Sequence, residues 1–85
     1  MPRVAFTGHL RRYLDLATME VDGGTVRGVL DAIFAQKPLL RGYIVDEQGE
    51  LRKHVVVFVN DRRVRLDDAV ASGDEIYVLQ ALSGG

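Results

Sequence analysis

The sequence has no cysteine among its 85 residues. Disulfides, thiolate metal sites, iron–sulfur clusters and a cysteine nucleophile of the chain's own are therefore excluded. An excess of one charge is also missing, because 11 Lys and Arg stand against 12 Asp and Glu for a formal net charge of −1. No bulk field gathers nucleic acid or anionic lipid, so neither nucleic acid nor a membrane is expected as a partner. No apolar run approaches the roughly 18–20 residues of a spanning helix. Met1-Pro2-Arg3 leads straight into structure-like sequence instead of a signal peptide, and a cytoplasmic location fits. Internal repeats and low-complexity stretches are absent as well. What remains is an ordinary globular composition, 47% hydrophobic with a mean hydropathy of +0.02. A chain this short folds as one domain, burying roughly 60–65% of the surface it exposes when unfolded.

Val4 and Phe6 alternate with smaller or polar residues up to Gly8, which predicts a first strand, and Met19-Glu20-Val21-Asp22 predicts a second. Leu10, Tyr13, Leu14 and Leu16 between them suit either an irregular helical turn or a wide hairpin connection. After Gly23-Gly24, Thr25 is placed to cap a helix whose Val26, Val29, Leu30, Ile33 and Phe34 form one apolar stripe. Gly28 weakens that helix by about 1 kcal/mol relative to alanine, so packing onto a sheet must sustain it. Pro38 disfavours helical geometry at Lys37 and ends it. Residues 39–53 carry a mixed signal that reads as a long surface connection with a small hairpin around Asp46-Glu47-Gln48-Gly49. His54-Val55-Val56-Val57-Phe58-Val59 predicts a well-buried strand whose facing the sequence leaves open. Asn60-Asp61 turns it into a short return at Val64-Arg65-Leu66, and Ser72-Gly73-Asp74 turns into a last strand from Glu75 to Leu82. This order gives an α+β plan with one main helix packed on one face of a mixed sheet.

The titratable residues offer little chemistry of their own. His9 and His54 are the only histidines, and neither stands at ligand spacing from a usable set, so no metal site is expected. The pairs Asp46-Glu47, Asp67-Asp68 and Asp74-Glu75 all fall in turns, where solvated charge is the default and nothing buries a carboxylate for acid–base work. Arg52-Lys53 and Arg62-Arg63 with Arg65 are modest basic clusters. They serve either to keep a sheet edge soluble or to meet acidic groups on a partner, and no interleaved aromatics point to nucleic acid. No lysine follows Gly23-Gly24 at the spacing of a phosphate-binding loop. Strand parity assigns Val4, Phe6, Ile76 and Val78 to the core, which turns Ala5, Thr7, Tyr77, Leu79 and Ala81 outward. An apolar row on the open face of the last strand is a docking patch.

The sequence ends in Ser83-Gly84-Gly85. Two glycines at a chain end arise by chance in roughly 1% of chains of this composition, and a frayed terminus is the plain explanation. The apolar strand before them argues for another, a slim tail projecting from a rigid body. A carboxylate is a poor electrophile until adenylation supplies a leaving group, and that reaction threads the carboxylate into another protein's nucleotide site. Glycine permits the close backbone approach such a channel demands.

These residues resemble the ubiquitin-like β-grasp sulfur carriers of the MoaD and ThiS type over nearly the whole chain. The resemblance rests on Gly24-Thr25-Val26, Val57-Phe58-Val59-Asn60-Asp61 with Val64-Arg65, Gly73-Asp74-Glu75-Ile76 and Gly84-Gly85, in family order and spacing. The Asp46-Glu47-Gln48-Gly49-Glu50-Leu51 connection looks more like the MoaD branch and its cysteine-synthesis relatives. Two departures bear on the pathway: a short Arg65-Leu66-Asp67 stretch, and no proline in Gln80-Ala81-Leu82-Ser83.

The resemblance implies a β-grasp domain over 1–82 and a flexible tail over 83–85. It implies a carrier, not an enzyme, that binds no cofactor and is monomeric alone. An E1-like enzyme would use ATP to adenylate Gly85, with Gly84 and Ser83 giving access. The resulting thiocarboxylate would pass sulfur to an acceptor synthase, with the small subunit of a molybdopterin synthase as the first pathway and cysteine, thiamine and tRNA thiolation as the others. Tyr77, Leu79, Ala81, Thr7 and Arg63 would contact the activating enzyme. A ubiquitin-like modifier conjugated through Gly85 and a plain β-grasp binding module are the alternatives.

Overall fold

The computed structural model describes residues 1–8 and 19–80. His9, the Leu10 to Leu16 connection and residues 81–85, with Ala81, Ser83, Gly84 and Gly85, lie outside them. The described elements are β1 (Arg3–Gly8), β2 (Met19–Glu20), α1 (Val26–Gln36), α2 (Pro38–Ile44), β3 (Val55–Val59), β4 (Arg62–Val64) and β5 (Glu75–Gln80). The strands form one mixed sheet in the order β2-β1-β5-β3-β4. β1 and β5 run parallel at its centre, with Val4 opposite Ile76 and Phe6 opposite Val78, and the other pairs are antiparallel.

Helix α1 starts where the sequence places it. Thr25 is extended and its hydroxyl accepts a hydrogen bond from the Gly28 amide at 3.1 Å, satisfying one of the free donors of the first turn. Gly23 lets the chain pass close beneath the helix, since a Cβ there would stand 2.7 Å from Val29 Cγ2. Val26, Val29, Leu30, Ile33 and Phe34 are all buried against the sheet, and they join Val4, Phe6, Val57, Ile76 and Val78 in one core.

The segment after Lys37 is not the surface connection that its sequence suggests. Pro38 ends α1 and also occupies the first turn of α2, where its missing N–H costs nothing and its fixed φ suits a helix. Leu40 and Ile44, one turn apart, are buried in the main core. Two apolar anchors in seven residues give too short a stripe to register as a helical period. The hairpin beyond it is present. Val45 pairs with Leu51, and the Asp46 carboxylate accepts from the amides of Gln48 at 2.9 Å and Glu50 at 3.0 Å while Gly49 takes a left-handed φ of 79°.

A second correction concerns the return strand, which is Arg62–Val64 rather than Val64-Arg65-Leu66. Asn60 and Asp61 both have positive φ, 49° and 68°, as a tight two-residue hairpin turn requires, so Arg62 pairs with Val59 at once. The Asp68 carboxylate then takes the Arg65 amide at 2.8 Å. Leu66 is buried beside the start of α1, outside the strand.

Candidate docking face

The two sides of β5 differ completely. Val78 and Ile76 are 0% and 1% exposed beneath α1, whereas Tyr77 and Leu79 are 37% and 36% exposed on the open side. The parity expected for β1 and β5 is the one observed. Pairing aligns the outward residues in rows. One row runs Ala5, Tyr77, Phe58, Arg63, and the next runs Thr7, Leu79, Val56, where Thr7 is placed by its backbone pairing. Arg63 is exposed at the β4 end of the first row. Tyr77, Leu79 and Arg63 therefore share one face, Thr7 is paired with Leu79 through its backbone, and Ala81 lies outside the described residues.

Two residues of this face were not singled out from sequence, Val56 and Phe58. Five apolar residues in succession hide their alternation, yet a signal was available. A two-residue turn at Asn60-Asp61 forces Phe58 opposite Arg63, and so onto Arg63's side of the sheet. Phe58, Tyr77, Leu79 and Asp61 enclose a shallow depression of about 410 Å³. Beside it, a groove of about 680 Å³ is lined by Val55, Val56, Arg63 and Arg65 together with Leu51 and Asp67. The last described residue of β5, Gln80, pairs with Gly8 and with Val55. The described part of β5, the middle strand of the five, therefore ends beside Val55, which lines this groove.

Charge around the face is well anchored at the end away from Gln80. Asn60 donates to the Asp74 carboxylate at 2.9 Å and accepts from the Glu75 amide at 3.0 Å. The Ala71 amide, first, and then Asn60 hold the Asp74 carboxyl below the usual carboxylate range. The Tyr77 hydroxyl donates to Glu75 at 3.3 Å, and the Glu75 charge pushes the phenol above its usual value. The turn carboxylates are in local use: Asp46 caps its turn, Asp67 pairs with Arg27 at 3.1 Å, and Asp68 holds the Arg65 amide. No group of three or more potential metal ligands occurs among the described residues, and His54 stands exposed before β3. No helix among them is long and apolar enough to cross a membrane.

A five-stranded mixed sheet with a capped helix across one face defines a ubiquitin-like β-grasp protein, a class of small carriers and modifiers. The model of the ThiS family matches residues 4–85, and the chain belongs to that family. Small archaeal modifier protein 1 of Haloferax volcanii is 37% identical over 68 residues, which are 79% of this chain and 78% of that protein. A chain of the Amycolatopsis orientalis BexX/CysO complex is 27% identical and superposes with a TM-score of 0.86 over 100% of both chains. Mycobacterium tuberculosis CysO is 25% identical with a TM-score of 0.83, over 96% of this chain and 100% of that one.

Proposed function

We propose that this protein is a sulfur carrier whose Gly85 carboxylate is adenylated by an E1-like partner and converted to a thiocarboxylate that donates sulfur to an acceptor synthase. The observation that carries the reading is the family match through residue 85, which takes in Gly84-Gly85 a few residues after the central strand in sequence. In the first step a Gly85 carboxylate oxygen attacks the α-phosphorus of ATP held by the partner, and pyrophosphate leaves. In the second, hydrosulfide delivered by the partner attacks the acyl carbon, AMP leaves and the thioacid loses its proton, so the chain ends in a thiocarboxylate. The carrier supplies no acid or base to either step. It contributes a firmly held strand that aims the Ser83-Gly84-Gly85 tail, and an outward face on which Tyr77, Leu79, Ala81, Thr7 and Arg63 meet the enzyme, with Phe58 and Val56 between them. The small-subunit role in a molybdopterin synthase is the first pathway to test, before cysteine, thiamine and tRNA thiolation.

Co-expression with the activating enzyme of the same genome, followed by intact-mass measurement, tests the reading. The expected product is heavier by the difference between one sulfur and one oxygen. Persistent absence of any thiocarboxylate or acyl-adenylate overturns it. A second reading is favoured by the relative that bears a modifier's name: the same activated Gly85 is joined to a lysine amine of another protein. Immunoblots separate the two, because higher-mass adducts that vanish when Gly85 is deleted belong to a modifier.

A further inference from the structure

Among the described residues, the side chains of Arg27 and Arg52 have hydrogen-bond or ion-pair partners within the fold, and those of Arg3, Arg41, Arg62, Arg63 and Arg65 have none. Arg27 donates to Asp67 at 3.1 Å and to the Gly49 carbonyl at 3.0 Å, and pairs with Glu50 at 3.5 Å, tying α1 to two loops. Arg52 donates to the Gly42 carbonyl at 2.6 Å. Arg63 and Arg65 differ. Among the described residues neither side chain forms an ion pair or donates a hydrogen bond, although Asp68 fixes the Arg65 backbone amide at 2.8 Å. Both line the groove beside Val56, and Arg63 directly continues the row of Tyr77 and Phe58. The acidic residues of the same groove, Glu50 and Asp67, face Arg27 and are engaged by it. The apolar strip of the docking face thus ends, along its β4 side, in two unengaged guanidinium groups.

Resting on the carrier reading above, we propose that the enzyme surface covering this strip presents carboxylates to Arg63 and Arg65, and that these pairs set the angle at which the carrier docks. The apolar patch is a nearly flat arrangement of a few side chains, which attracts without fixing an orientation. Planar guanidinium forks fix one, because each matches a carboxylate through two parallel hydrogen bonds. β5 is described as far as Gln80, beside Val55 of the groove, so the docked angle would decide where a tail running on from that strand is delivered. Guarding a sheet edge against aggregation, the other use of charge at β4, asks only for charge of either sign.

The test measures association of the full chain with its activating enzyme by stopped flow at several salt concentrations. The variants are Arg63→Glu with Arg65→Glu, Arg63→Lys with Arg65→Lys, and Lys37→Glu with Arg41→Glu. The last pair makes the same charge change at exposed positions on the helix side. Circular dichroism confirms that each variant is folded. Reversal at 63 and 65 is expected to slow association on the order of 10- to 100-fold at low salt and to abolish the salt dependence of the wild type. The helix-side control should associate as the wild type does. The lysine variant should keep the salt dependence but dissociate several-fold faster.

A folded 63/65 reversal variant that associates like the wild type, or a wild type indifferent to salt, overturns the proposal. If that wild type is still loaded with sulfur, the carrier reading stands without it. If the wild type is never activated, both fall. Retention of the wild type but not the reversal variant by single-stranded RNA, with enzyme binding unchanged, reassigns the arginines to nucleic acid and also overturns the proposal.

Discussion

Val78 and Leu79 are neighbours in one strand and belong to different parts of the protein's work. Val78 is wholly buried in a core where no described residue buries a polar or charged side chain, and Leu79 lies on the open face at 36% exposure. The helix-covered face holds the fully buried core, while the open face keeps apolar side chains that remain partly exposed. Apolar exposure scattered over a surface is ordinary. Here it is collected into rows by strand register, ended by Arg63, and set on the strand that leads to the C-terminal residues.

Four substitutions sharpen the contrast, ordered by their effect on folding. Val78→Glu puts a carboxylate between sheet and helix at a cost of several kcal/mol, comparable with the whole stability of roughly 4–13 kcal/mol for a chain of this length. Its far-UV circular dichroism should show no cooperative melt. Leu40→Ala removes an anchor of α2 from the same core and should lower stability by about 2–5 kcal/mol, read as a shift of the urea midpoint at unchanged slope. A change within about 0.5 kcal/mol would mean that α2 does not belong to the core. Thr25→Ala leaves the Gly28 amide without its cap and should cost about 1 kcal/mol in the same assay.

Asp74→Asn should act through pH. The native carboxyl is held below its usual range, so its stabilisation is present above the unfolded-state pKa and is lost as pH falls through the lower, folded value. Urea midpoints of wild type and variant should therefore converge on the acid side and separate towards neutrality.

Much of this arrangement is legible in the residues. Alternation in Val4 and Phe6, and again in Ile76 and Val78, places both central strands and their faces. The Thr25 cap and the stripe from Val26 to Phe34 place α1 almost to the residue. Two kinds of information were missing or hidden. Leu40 and Ile44 are a pair too short to show a period, and the proline before them acts as both a stop and a start. The run from Val55 to Val59 is apolar throughout, so its facing comes only from the hairpin register that Asn60 and Asp61 impose. The docking face was half visible for that reason: strand parity placed Tyr77 and Leu79 on it, Arg63 came only from the family resemblance, and Phe58 and Val56 required the pairing.

On the proposed carrier reading the open face delivers the tail to an activating enzyme, and Leu79→Glu assayed with that enzyme should break that delivery. An outward carboxylate should leave stability within about 0.5 kcal/mol of wild type. The same carboxylate would be buried against the partner at the middle of the apolar strip, at a loss of roughly 2–4 kcal/mol of binding. Pyrophosphate release at limiting carrier concentration should therefore fall by about 30-fold or more, with the melting curve unchanged. A folded Leu79→Glu chain that releases pyrophosphate as fast as wild type contradicts the claim.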